Sequence, residues 1–287
     1  MKNIVLKSAC AGAILLASYS CDEASTVFDA ITEDSEVATG LKSALSVGID
    51  TAATKLHRKG GYLNDAAVKI GMPEEAATAF SAVQTLSKNE TFSTLLNATN
   101  SSIPDENTFI ELFNGAAEDA APKSVSIFKS AITKMTIGDA ESILFGEDNA
   151  ATTYLHNNTS TQLQSAFHDP VTNSLNSVKV AGVTTTSAWS KFAEYNNKLA
   201  KVIGDKKIKA GLTVAKSAGV ISSSQYTSVQ AVQEVNTDLS DYITGRALDG
   251  LFTKVADQEY QIRTNVDARV NDVLKKVFGR LDTKKKG

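Results

Sequence analysis

Two cysteines, four prolines, three histidines and one tryptophan are all that the 287 residues contain of those types. Two thiols cannot build a disulfide framework or a multi-thiolate zinc site. Four prolines exclude collagen-like, proline-rich and low-complexity chains. A net charge of −3 gives no electrostatic reason to expect nucleic acid as a partner. Aromatics are only 7% of the chain while alanine is frequent, a bias of closely packed helices. Hydrophobic residues at 42% are enough for a core, in one large domain or two small ones.

The common catalytic signatures are missing too. There is no glycine-rich phosphate loop ending in Gly-Lys-Ser/Thr, no dinucleotide fingerprint and no nucleophile elbow. His57, His156 and His168 show no helical zinc spacing, and each reads as a surface or boundary residue. Gly146-Glu147-Asp148-Asn149 lacks the alternating ligands of a calcium loop and reads as a helix entry capped by Asp148 or Asn149. No cofactor and no metal is expected.

What is present begins at the N-terminus. Lys2 and Lys7 form a basic start, Ala9 to Ala17 is apolar, and Ala17, Ser18 and Ser20 are small residues leading to Cys21. That is the layout of an export signal, residues 1–20. The apolar run is too short for a membrane span, which takes roughly 20 apolar residues. Cleavage by ordinary signal peptidase after Ser20 is one reading. The other makes Cys21 the lipidated first residue of the mature chain, because a thiol is what carries a thioether-linked diacylglycerol. Cys10 is lost with the signal in either case. Residues 21–36 read as a polar tether.

From residue 37 the apolar positions recur with the period of a helix. Leu41, Ala44, Leu45, Gly48, Ile49, Ala52, Ala53 and Leu56 form one stripe, stopped by Gly60-Gly61. Pro73 with Glu74 and Glu75 opens a second helix, and Asp105 caps a third. Pro122 starts another, Thr136 and Asp139 make a capping box, and Ser160 or Thr161 caps a helix that Pro170 should kink or break. Trp189, Phe192, Tyr195 and Leu199 mark one more. Residues 204–236 read as an insertion or a helical hairpin of weaker packing. The last strong segment runs from Asp238 to about Thr264, with a terminal helix capped by Asn265 or Asp267 and a basic tail at 282–287. Val178 to Val183 is the best strand candidate. The expectation is all-α: a single multi-helix bundle over residues 37–281.

Polar residues embedded in apolar faces are the candidate site. Asn114 and Glu118 share one helical side, Asp249 sits between Leu248 and Leu251, and Glu259, Arg263 and Arg269 follow; Asp139 stands before Ala140, Ile143 and Leu144. Buried charges must be paired, so these residues form either a structural ion network or the lining of a cleft. Lys275, Lys276, Arg280 and Lys284 to Lys286 make a basic C-terminus that could meet anionic headgroups, but at a net charge of −3 it reads as favourable charge at a helix C-terminus. Asn97-Ala98-Thr99 and Asn158-Thr159-Ser160 fit a glycosylation triplet, which matters only in a host that glycosylates secreted proteins.

Specific strings then accumulate. They include Gly40-Leu41-Lys42-Ser43-Ala44-Leu45, Gly61-Tyr62-Leu63-Asn64, and the run from Asn114 to Pro122 with Ala150-Ala151-Thr152-Thr153-Tyr154 and Tyr195-Asn196. Asp238-Leu239-x-x-Tyr242, Ala247-Leu248-Asp249-Gly250-Leu251-Phe252, Ile262-Arg263, Ala268-Arg269 and Leu274-Lys275-Lys276-Val277-Phe278-Gly279 complete them. Together they resemble the bacterial family called domain of unknown function 4197, over nearly all of the mature chain. The resemblance implies a secreted or lipid-anchored helical envelope protein and carries no established activity. The chain departs from it in the long stretch 204–236 and in Asn64-Asp65-Ala66, where Asn-Pro is usual.

The reading is therefore a non-enzymatic envelope lipoprotein, anchored at Cys21 in the periplasm or outer membrane. It acts as a binding or interaction module for an apolar ligand or a protein partner, with the membrane reached through its lipid and no nucleic acid bound. The alternative is a carboxylate-dependent hydrolase using two of Glu118, Asp139, Asp249 and Glu259, which would have to converge in an open cleft.

Overall fold

A computed structural model of the chain describes residues 21–87, 104–180, 182–269 and 272–284. The expected export signal with Cys10, the Asn97 triplet, Val270, Lys285 and Lys286 lie outside the described residues. The fold is all-α, a multi-helix bundle.

Helix α1 (Cys21–His57) takes in the backbone of the polar stretch before residue 37. Its stripe of Leu41, Ala44, Ile49, Ala52 and Leu56 is buried. The helix ends where Gly60 takes a φ of 81°, a conformation open to glycine at little cost. A connector then leads to α2 (Glu74–Ser87), whose first turn carries Glu74 and Glu75. Helix α3 (Glu106–Ala120) is capped by Asp105, which accepts from the Thr108 amide. A 3-10 turn at Ala121–Lys123 passes into α4 (Ser124–Lys134). Helix α5 (Ile137–Leu144) starts on the Thr136–Asp139 capping box.

Helix α6 (Ala150–Ser177) corrects two expectations. It is continuous through Pro170, and neither Ser160 nor Thr161 starts a helix. Thr159, Ser160 and Ser165 hydroxyls instead donate to the carbonyls four residues back, a bond open to Ser and Thr inside helices. Pro170 is only half-buried, and Leu163, Phe167, Val171 and Leu175 on the buried side hold both halves to the core. The strand candidate is realised as an antiparallel ribbon of two residues each, β1 (Lys179–Val180) and β2 (Val183–Thr184).

Helices α7 (Thr185–Gly204), α8 (Lys206–Ser217) and α9 (Ser223–Ala231) follow, then α10 (Ser240–Thr264) and α11 (Asp272–Lys284). Asn265 caps a short 3-10 turn, Val266–Ala268, and not α11 itself. Helix α10 packs against both α1 and α6, and α6 also carries α3, α4, α5 and α7. Helix α9 lies on α2, and α8 touches α7 and α9. The few aromatics are pooled: Phe80, Phe109, Phe113, Trp189 and Phe192 interlock, with Phe109 edge-on to Trp189 at 5.5 Å.

Candidate functional site

The flagged polar residues fall into two buried constellations. The first pins the connector between α1 and α2. Asn114 on α3 is fully buried; its Oδ1 accepts from the Ile70 amide at 2.9 Å and its Nδ2 donates to the Ile70 carbonyl at 2.8 Å. One side chain thereby satisfies both backbone groups of a buried residue that has no helix or strand to do so. One turn on, Glu118 accepts from the Tyr62 amide at 3.3 Å, and its own carbonyl accepts from His57 Nδ1 at 2.9 Å. Tyr62 is buried and donates its hydroxyl to the Ala247 carbonyl at 2.8 Å. Burial, with the Glu118 charge adding to it, pushes the phenol far above its ordinary range, so it remains a neutral donor. Tyr242 adds a bond to the Gly71 carbonyl at 3.1 Å.

The second constellation joins Glu259, Arg263 and Arg269, all nearly inaccessible. Glu259 Oε1 accepts from the Ala151 amide at 2.9 Å, and Oε2 from the Thr152 amide and hydroxyl, both at 2.8 Å. The Arg263 guanidinium donates to Glu259 Oε1 through Nε and Nη2, at 3.0 and 2.8 Å. Its Nη1 and Nη2 also donate to the carbonyls of Leu144 and Ile143, at 3.0 and 2.7 Å. Arg269 donates to the carbonyls of Ile262 and Arg263. A carboxylate thus sits on the N-terminus of α6 and a guanidinium on the C-terminus of α5, each where the helix dipole favours its sign. This corrects the expected cap: Asn149 makes no side-chain cap bond, and Glu259, more than a hundred residues on in the chain, does that work.

The remaining two candidates stand apart. Asp139 is half-buried and accepts from the Thr136 amide and hydroxyl, which holds its carboxyl below the usual carboxylate range. Asp249 is exposed, 3.6 Å from Arg246. Leu248 and Leu251 face the core, but the helical turn carries residue 249 to the solvent side, so its place between two leucines did not bury it. Among the described residues no hydrogen bond or ion pair joins any two of Glu118, Asp139, Asp249 and Glu259.

Other clasps went unflagged. Asn196 Nδ2 donates to the Gln233 carbonyl at 2.6 Å, Asn197 exchanges two bonds with Val235, and Trp189 Nε1 donates to the Asn236 carbonyl at 2.9 Å. They strap the extended segment before α10 onto α7. The only sequence signal was the Tyr195-Asn196 string. Lys254 bridges Asp65 and Asp257 at 2.6 and 3.0 Å, tying the connector to α10.

Two surface grooves of about 350 Å³ each accompany this frame. One lies between α1 and α11, with Val37 and Val277 on its floor and the Glu36–Lys276 ion pair beside it. The other is lined by Pro73, Trp189, Val235 and Tyr242, with Glu75, Glu234 and Asp238 at its edge. Among the described residues no group of three His, Cys, Asp or Glu side chains could hold a metal ion, and no helix is long and apolar enough to cross a membrane.

No curated protein and no solved structure matches the chain. A family model does, over residues 31–279: with its helices, its connector clasp and its buried Glu259–Arg263 pair, the chain belongs to the family described as "Protein of unknown function (DUF4197)".

Proposed function

We propose that the protein is exported, held at the cell envelope by a lipid on Cys21, and acts as a helical interaction module rather than as an enzyme. The observation that carries this is the N-terminal order of basic start, apolar run, small residues and Cys21. Acyl chains bind a bilayer by about 0.8 kcal/mol per buried methylene, so a multiply acylated cysteine is a firm anchor. The backbone from Cys21 to His57 is one helix, so an anchor at Cys21 would act on the bundle without an intervening loop.

The partner is proposed to be a protein met at the surface. Between α1, α6 and α10 the packing leaves a void of about 20 Å³, space for about one water and not for a lipid. The partner's side chains would sit in the surface grooves of about 350 Å³ each. The candidate carboxylates support a non-enzymatic reading, because each is engaged with a backbone amide, an arginine or both.

Metabolic labelling with palmitate in a bacterial host tests the anchor. The wild-type chain is expected to take up label and fractionate with membranes, and Cys21→Ser to lose both. Unchanged labelling of the Cys21→Ser chain would overturn the proposal.

A further inference from the structure

We infer that α8 is a peripheral membrane-docking helix that lies on an anionic lipid surface, independently of any lipid on Cys21. Residues 201–220 carry five lysines, Lys201, Lys206, Lys207, Lys209 and Lys216, against the single carboxylate of Asp205, in a chain whose net charge is −3. That carboxylate is already committed as the N-cap of α8, accepting from the Lys207 and Ile208 amides at 2.8 and 3.2 Å. Among the described residues none of the five lysines is in an ion pair.

Helix stability accounts for only two of these lysines: Lys201 and Lys216 lie in the last turns of α7 and α8, and Lys216 also sits 4.6 Å over the Tyr226 ring. Lys206 and Lys207 stand in the first turn, where the macrodipole disfavours cations. Packing does not account for the apolar side chains. No residue of α8 is buried. Leu212 and Ala215 are half-buried against α8's neighbours, while Ile208 is 42%, Val214 68% and Val220 66% exposed. Helix α8 sits at the rim, in contact with α7 and α9. Aliphatic side chains interleaved with lysines on an exposed helix suit the boundary of headgroups and acyl chains, where apolar burial and attraction to anionic lipid add. A nucleic acid is the poorer occupant: residues 201–220 contain no arginine and no aromatic ring to stack on bases.

The test is co-sedimentation of the full chain, carrying Cys21→Ser so that no acyl chain contributes, with vesicles of phosphatidylcholine alone or mixed with phosphatidylglycerol. The apolar run at residues 9–17 is common to every variant and cancels. Binding is expected to favour the anionic vesicles and to fall as salt screens the lysines. Lys206→Glu/Lys207→Glu/Lys209→Glu should reduce it about 10-fold or more, and Val214→Ser/Val220→Ser about 3-fold or more, both with wild-type circular dichroism. Wild-type binding by the charge-reversed variant would overturn the inference. So would equal binding to neutral vesicles, or loss only with Lys275→Glu/Lys276→Glu on α11. Capture of duplex DNA through the same lysines, without preference for anionic vesicles, would overturn it in favour of a nucleic-acid surface.

Discussion

Glu259 is a single side chain on which three parts of the fold meet: the start of α6, the end of α5 through Arg263, and α10 itself. Removing it leaves a buried guanidinium without its counter-charge and two helix amides without their acceptor. Breaking a buried pair in this way costs about 3–5 kcal/mol. Glu259→Ala should therefore lower the unfolding free energy by that amount, seen as a lower urea midpoint, while Asp249→Ala, on the solvent side, should leave the midpoint within error. Equal midpoints for the two variants would contradict the assignment. The sequence marked both residues on the same ground, a carboxylate amid apolar neighbours. In the fold, helical phase separates them: residue 249 falls to the solvent side beside its buried neighbours, whereas 259 shares the core-facing side with 255, 262 and 263. Which amides Glu259 would cap was not readable, because they lie at the other end of a tertiary contact.

Within α10, two glycines that look alike in sequence differ in their surroundings. A Cβ on Gly250 would come within 2.8 Å of the Tyr62 ring and 3.1 Å of Val68 Cβ, so the connector can pass only because residue 250 lacks a side chain. A Cβ on Gly245 would meet nothing within 4 Å. Gly250→Ala is expected to destabilise by about 1–3 kcal/mol through overpacking. Gly245→Ala should stabilise by about 0.5–1 kcal/mol through helix propensity alone. Thermal melts of the pair check this, and a shift of the same sign in both would refute it. Helix α6 teaches the complementary lesson. Its proline and its Ser/Thr run read as a boundary, but the buried stripe through Leu163, Phe167 and Val171 outweighed local propensity, as tertiary packing does.

For the molecule as a whole, the connector between α1 and α2, like the extended segment before α10, is held by polar bonds instead of by regular structure. One of its ties is titratable. Hydrogen bonds from Lys254 and from the Ala67 amide hold the Asp65 carboxyl below its ordinary value of 3.8. On Lys254, desolvation alone would lower the ammonium, but the bonds to Asp65 and Asp257 outweigh it and raise the group. A depressed carboxylate contributes stability that is present above its unfolded-state value and lost as pH falls through its folded-state value. Stability should thus hold at neutral pH and decline below about pH 4, and Asp65→Asn should flatten that decline. Denaturation midpoints across the acid range check it; an unchanged acid limb in Asp65→Asn would exclude the tie. Asp65 and Lys254 lie far apart in the chain, so nothing in the sequence paired them.

By itself the sequence determined what depends on near neighbours along the chain. The helical periodicity, the Asp105 cap, the Thr136–Asp139 box and the Gly60 stop need only residues three or four positions apart, and each appears in the fold. The family strings were likewise legible, because they are words in one dimension. Tertiary structure alone decided which carboxylates are buried, which helix end each one serves, why Gly250 must be glycine, and that α8 leaves its lysines, Ile208 and Val214 to solvent. These depend on distances between segments that are remote in sequence, and a burial cost is defined only once the packed neighbours are in place.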